Sequence, residues 1–239
     1  MAKCIMVISG KGGTGKTTFS AALGAALAEQ GARVICMDLD SGMGNLDLQL
    51  GMHEAAVFSV EDVLSGARTA EEAAAPVPGF DGLSILCAPR PGFVPEKEPL
   101  AALCRELTER EINVILDLGA GLGPCAEAAR EAADLAMVVC LPEPSSLRDA
   151  TGVAQFLQER PRLPVRLVCN RIPTRPGLLR KREVNVDACM DTVGLPLGAM
   201  IREDPKVADA AAGCRPLLGE KRSPAARDVR EAARRLSQW

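Results

Sequence analysis

Gly10-Lys11-Gly12-Gly13-Thr14-Gly15-Lys16-Thr17-Thr18 decides the fold, because it follows an apolar run, Cys4 to Ile8, and opens a helical pattern beginning near Lys16. Gly10, four residues, then Gly15-Lys16-Thr17 is the spacing at which a tight backbone curls its N–H groups around a polyphosphate. Glycine serves where a side chain would clash or φ must be positive. The helix that follows adds its positive N-terminal end to the cradle, Lys16 is placed to neutralise β- and γ-phosphates, and the Thr17 hydroxyl to ligate Mg²⁺. Lys11 is the unusual member. Lys16 already supplies the loop's cation, so a second lysine either lies at the surface or has a purpose the spacing does not reveal.

Working outward, Phe19, Ala22, Leu23, Ala26 and Leu27 recur at helical spacing and Gly31 stands where a helix ends. A second apolar strand, Arg33 to Met37, runs into Asp38-Leu39-Asp40, placing two carboxylates at a strand's C-terminal end, where open parallel sheets bind ligands. A polar turn with solvated acids is the alternative for that segment. Val60 to Leu64 reads as a short helix, Leu83 to Cys87 as a strand, and Pro99 as the opening of a helix that leads to the strand Asn113 to Leu116. Asp117 ends that strand, as does the aspartate that holds Mg²⁺ through water opposite the loop threonine in phosphate-binding-loop proteins. Leu118-Gly119-Ala120-Gly121-Leu122-Gly123 is a glycine segment able to sense a γ-phosphate by moving toward it, or a plain strand-terminating turn.

Leu135 to Leu141, Val165 to Cys169 and Leu197 to Ile201 complete the apolar strands. Asn170 follows the second of these and can offer a donor and an acceptor to a purine edge. Pro173 to Arg182 carries Arg175, Arg180, Lys181 and Arg182, a run that reads more readily as a solvated face than as a nucleic-acid patch. Asp204-Pro205 and Ser223-Pro224 cap the last two helices. In the final one Val229, Ala232, Ala233, Leu236 and Trp239 share a face, which reads as packing on the sheet in preference to lying on a membrane.

This alternation predicts an α/β fold, a mostly parallel central sheet flanked by helices on both faces, in the Rossmann-like three-layer sandwich of P-loop NTPases. The 239 residues, without a proline- or serine-rich linker, predict one domain over 1–239. A net charge of −3 gives no global electrostatic case for nucleic acid, and no apolar stretch approaches a membrane span, so the expected compartment is cytoplasmic. The nine cysteines are scattered without a CxxC or CxC pair and read as small buried hydrophobes in a reducing compartment. A metal cluster built from single cysteines of two subunits is the alternative.

The loop with Lys11, Asp38-Leu39-Asp40, Gly44-Asn45-Leu46-Asp47-Leu48, Asp117 and Pro142-Glu143-x-Ser145-Ser146-Leu147-Arg148-Asp149 together resemble the MinD/ParA class of deviant-Walker ATPases, over nearly the whole chain. Within the class the Asn45-Leu46-Asp47 motif is most similar to MinD and its flagellar relative FlhG. The resemblance implies Mg²⁺-dependent ATP hydrolysis by a homodimer closed face to face on two ATP molecules, monomeric otherwise. It implies that Lys11 crosses to the phosphates of the other subunit, that Asp40 orients the attacking water, and that Thr17 and Asp117 hold Mg²⁺. Asn170 would read adenine, Arg171 would pack near the base, and Asp38 would support Lys11 or the metal shell. Glu143, Ser145, Arg148 and Asp149 match the surface that MinD-type dimers use for partners, here an unidentified regulatory or cargo protein. MinD and FlhG usually end in an amphipathic membrane-targeting helix, whereas this sequence stops at Trp239, which makes membrane attachment doubtful; nor is the N-terminal extension of FlhG present. Competing readings are a metallocentre-maturation ATPase of the CooC kind, with Cys125 as the candidate ligand, and a ParA-like DNA partition ATPase using the basic run and Arg227, Arg230, Arg234 and Arg235. DNA is not expected as a partner.

Overall fold

In a computed structural model, which describes residues 1–52, 57–173 and 185–236, the apolar runs become strands of one sheet. These are β1 (Cys4–Ile8), β2 (Arg33–Asp38), β3 (Ala75–Pro76), β4 (Leu83–Leu86), β5 (Ile112–Asp117), β6 (Leu135–Cys140), β7 (Val165–Ile172) and β8 (Leu197–Arg202). Their order is β3-β4-β2-β5-β1-β6-β7-β8, all parallel except the edge strand β3. The helices are α1 (Lys16–Glu29), α2 (Leu46–Gln49), α3 (Val60–Leu64), α4 (Ala70–Ala73), α5 (Lys97–Glu109), α6 (Pro124–Ala132), α7 (Pro144–Gln158), α8 (Val186–Val193), α9 (Pro205–Ala212) and α10 (Pro224–Leu236), with a 3₁₀ turn at Leu217–Gly219.

Central parallel strands are covered on both faces, which is why they read as continuous apolar runs rather than alternations. Cys4, Met6 and Ile8 of β1 enter the core shared with α5, α6 and α7, while Ile5 and Val7 enter the core shared with α1 and α10. These two cores and the sheet between them are the expected three layers. Helix α1 is buried beyond the expected stripe, with Ala21, Ala25 and Ala28 also inside, because α10 covers its outer side. The final stripe therefore packs inward through Val229, Ala232, Ala233 and Leu236; Trp239 lies outside the described residues.

Several elements depart from the sequence reading. Helix α5 starts at Lys97, two residues before Pro99, which still falls in the first turn, where a backbone N–H has no intrahelical acceptor. Helices α4, α6 and α8 carry no expectation from the sequence. In α6 the buried residues are Ala126, Ala128 and Ala129. Strand β7 runs on to Ile172, with a register shift between Cys169 and Ile172 and a positive φ of 54° at Arg171, so Asn170 and Arg171 lie in a bulge and not beyond the strand. Such bulges re-aim side chains. The basic residues Arg175, Arg180, Lys181 and Arg182 lie outside the described residues.

Candidate functional site

The parallel topology brings the C-terminal ends of β1, β2 and β5 side by side, because β5 lies between the other two. Asp38 and Asp117 are register partners across β2 and β5. The loop 10–18 rises from β1 beside them. Gly13 and Gly15 adopt φ of 78° and 87°, the left-handed region that glycine enters without strain. At Gly15 the surroundings also demand glycine, since a Cβ would stand 2.3 Å from Asn170 Nδ2. At Gly10 a Cβ would stand 2.6 Å from the Asp149 carbonyl oxygen, so α7 packs directly onto the loop.

Lys16, at the first position of α1, turns its ammonium inward. It donates to Asp117 Oδ1 at 3.0 Å and to Thr17 Oγ1 at 3.2 Å, in an almost fully buried ion pair. Ser20, one turn further along α1, donates to the same carboxylate oxygen at 2.7 Å. The sequence reading missed Ser20; the available signal was a lone hydroxyl on the inner side of an otherwise apolar helix. The other oxygen, Asp117 Oδ2, is buried with no hydrogen-bond partner among the described residues. An orphaned carboxylate oxygen and the Thr17 hydroxyl, joined through the Lys16 ammonium that bonds both residues, are hard oxygen donors of the kind that fits Mg²⁺.

Asp38 is buried and accepts the N–H groups of Asp40 at 2.9 Å and Leu46 at 3.1 Å. Burial first and then the charge of Asp117 push its carboxyl up to about 7, against the stabilising effect of those two N–H groups and Lys16. Asp40 stands half-buried above it and accepts from Met43 N at 3.2 Å. Its carboxyl faces the glycine segment, lying 3.4 Å from where a Cβ on Gly119 would be. That segment is tied back to β1 by Gly121 N donating to the Ser9 carbonyl at 3.0 Å, and Ser9 Oγ in turn donates to the Lys11 carbonyl at 3.0 Å. Lys11 itself is exposed, and its ammonium meets no acceptor among the described residues.

Asn170 reaches the loop from β7: its Nδ2 donates to the Thr14 carbonyl at 2.7 Å and its Oδ1 accepts from Arg171 N at 2.9 Å. Beside it opens a cavity of about 480 Å³, floored by Phe19, Ile201, Val207 and Leu217 and rimmed by Arg171 and Glu203. An apolar slot with a few polar rim groups at a phosphate loop suits a flat base. At the start of α7, the N-cap residue Glu143 and the helical Ser145 and Arg148 are exposed, while Asp149 is half-buried, 3.8 Å from the Arg148 guanidinium.

Among the described residues no group of three or more His, Cys, Asp or Glu side chains is arranged to hold a metal ion, although Cys169 contacts both Cys140 and Cys189. Cys125 is turned inward to the Leu39 carbonyl at 3.4 Å, and burial with the charges of Asp40 and Asp38 pushes its thiol up to about 12, the opposite of a thiolate ligand. On α10, Arg230 pairs with Glu29, and Arg234 and Arg235 with Glu231, so these cations are not a free basic face.

The profile of the family described as the CobQ/CobB/MinD/ParA nucleotide binding domain matches residues 5–217. The septum site-determining protein MinD of Bacillus subtilis is 32% identical over 243 residues, covering 99% of this chain and 89% of that one. The MinD of Synechocystis is 33% identical, covering 93% and 84%. Among solved structures, MinD in the MinC:MinD cell division protein complex of Aquifex aeolicus superposes with a TM-score of 0.90 at 30% identity, covering 100% and 96%. The Pyrococcus horikoshii MinD complexed with Mg-ADP gives 0.85 at 29%, covering 100% and 97%. The glycine-rich loop, the paired strand-end aspartates and the cavity beside Asn170 thus occur in a chain that belongs to the CobQ/CobB/MinD/ParA family of nucleotide-binding domains and whose fold is that of MinD.

Proposed function

We propose that this chain is a MinD-like ATPase switch, which dimerises on ATP, hydrolyses it, and thereby regulates the placement or activity of a partner protein in the cytoplasm. The observation that carries the reading is Lys11: an exposed lysine without an acceptor among the described residues, in a loop whose internal cation, Lys16, is already committed to the strand-end carboxylate. A second cation at that place gains an interaction only when another subunit brings phosphates to it.

The chain's own groups supply the rest. The N–H groups of residues 10–18 and the start of α1 cradle the phosphates, and Lys16 leaves Asp117 for the β- and γ-oxygens. Thr17 and, through water, Asp117 would hold Mg²⁺, with Asp38 next to them; bound there, the ion offsets phosphate charge. Asp40 orients a water for in-line attack on the γ-phosphorus, giving ADP and phosphate, with catalysis by positioning and charge neutralisation and no covalent protein intermediate. Asn170 reads the adenine edge by exchanging its Thr14 acceptor for the base, and Arg171 packs against it. Because Lys11 binds only when nucleotide and second subunit coexist, ATP selects the dimer and hydrolysis releases it. Glu143, Ser145, Arg148 and Asp149 present the partner surface, and the packing of Gly10 against Asp149 joins that surface to the loop.

Light scattering with Mg-ATP tests this. The unsubstituted chain is expected to dimerise with ATP and not with ADP. Lys11→Ala is expected to keep ATP on the monomer but weaken dimerisation ~10²–10⁴-fold, since two charge-assisted contacts of ~1.5–3 kcal/mol each are lost per dimer. Undiminished dimerisation of Lys11→Ala with ATP would refute the crossed lysine.

A further inference from the structure

Leu39 lies between the two strand-end aspartates, and its peptide is held from both sides. Its N–H donates to the Asp117 carbonyl at 2.8 Å, while its carbonyl accepts the Cys125 thiol at 3.4 Å, within reach for a sulfur donor. Cys125 is the second residue of α6, directly after the glycine segment 118–123. The Asp40 carboxyl in turn rests against Gly119 in that segment. Asp40, the segment and the start of α6 therefore form a closed circuit, in which the thiol is the link back to the Asp40 strand. The thiol can only donate while protonated, and its surroundings keep it so: burial and the negative charges of Asp40 and Asp38 disfavour the thiolate.

We infer that Cys125 is a positioning residue for the hydrolytic step, fixing the Leu39 peptide, and through it the Asp40 carboxyl, relative to the glycine segment. The inference rests on the ATPase reading above and adds to it a residue that touches neither nucleotide nor water. The thiol's hydrogen bond runs to Leu39 and not to the phosphate loop, so its loss is expected to loosen the aim of Asp40 first. A side chain that merely filled space there would be replaced without selectivity for a donor.

Steady-state ATP hydrolysis at saturating Mg²⁺ by the full chain and by C125A, C125S and D40A tests the inference. C125A is expected to lose ~5–10-fold in kcat with KM for ATP within ~2-fold, the pattern of an interaction needed in the transition state and not for binding. C125S, which restores a donor of similar shape, is expected to recover kcat to within ~2-fold of the original. Wild-type kcat in C125A, C125S as slow as C125A, or a KM rising in step with the loss of kcat would each overturn the inference while leaving the ATPase reading intact. D40A and the unsubstituted chain separate the two: hydrolysis undiminished in D40A removes the role of Asp40 and this inference with it while leaving an ATPase, whereas hydrolysis absent from the unsubstituted chain removes the ATPase reading itself.

Discussion

Lys16 and Asp117 stand 101 positions apart and meet as a buried ion pair. Removing only the cation leaves Asp117 buried beside Asp38, which costs more than the pair itself contributes. Lys16→Ala is therefore expected to abolish ATP binding and to lower the stability of the nucleotide-free protein by ~3 kcal/mol, read from urea unfolding at pH 7. Asp38 gives a pH signature. Its native carboxyl titrates near 7, well above the ordinary value of about 3.9 expected in the unfolded chain. The native state thus holds this proton more tightly, so the stability it contributes is complete below pH ~4 and is lost as pH rises through ~7, by up to ~4 kcal/mol. Urea midpoints of the nucleotide-free protein followed over that window should fall more steeply for the unsubstituted chain than for Asp38→Asn; parallel curves would show that Asp38 is charged throughout.

Helix α1 shows how an element is placed for its task. Its alanines let it lie close to the sheet, and Gly24 marks the closest approach, where a Cβ would stand 2.4 Å from Cys36 Sγ and 3.2 Å from Leu83 Cδ1. Gly24→Ala would gain ~1 kcal/mol of helix propensity but overpack a dense core at a cost of ~1–3 kcal/mol, so thermal unfolding should show net destabilisation. Gly10→Ala differs, because the obstacle is the Asp149 backbone, which cannot turn away. That substitution is expected to displace the loop from α7 and weaken ATP binding ~10-fold or more, measured by titration. Most elements were legible in the sequence because their cause is local: β-branched and aliphatic runs ending at Asp38, Asp117 and Asn170, and Ser223-Pro224 or Asp204-Pro205 at helix starts. Helices α6 and α8 were not read: α6 buries only alanines, while α8 carries Val186, Cys189, Met190 and Val193 at helical spacing, a signal that the sequence reading did not use.

In the whole molecule, α10 contributes Val229 to the wall of the cavity beside Asn170. Arg202 at the end of β8 grips Asp228 with both nitrogens, its Nε lying 2.9 Å from Oδ2 and its Nη2 2.6 Å from Oδ1, and Val229 beside Asp228 lines the cavity with Ile201. The pair is partly exposed, so its loss should be modest: Asp228→Ala is expected to cost ~1–2 kcal/mol in urea. The more telling effect is selective. Affinity for ATP should fall more than affinity for inorganic tripolyphosphate, which uses the loop and not the cavity; equal losses for both ligands would contradict a role for α10 in the base site. No described helix is long and apolar enough to cross a membrane.

By itself the sequence determined the phosphate loop, the strands that carry Asp38, Asp40 and Asp117 to one end of the sheet, and the layered architecture, because loop curvature and apolar periodicity act over neighbouring residues. Tertiary structure decided what joins those parts. Ser20 bonds Asp117 across 97 positions, Asn170 bonds the Thr14 carbonyl across 156, and Cys125 bonds the Leu39 carbonyl across 86. Each of these contacts, like the raised carboxyl of Asp38 and the shape of the cavity beside Asn170, depends on which segments the sheet order makes neighbours. Strand β5 inserts between β1 and β2, and only that insertion, a matter of packing rather than of local pattern, sets the aspartates beside the loop.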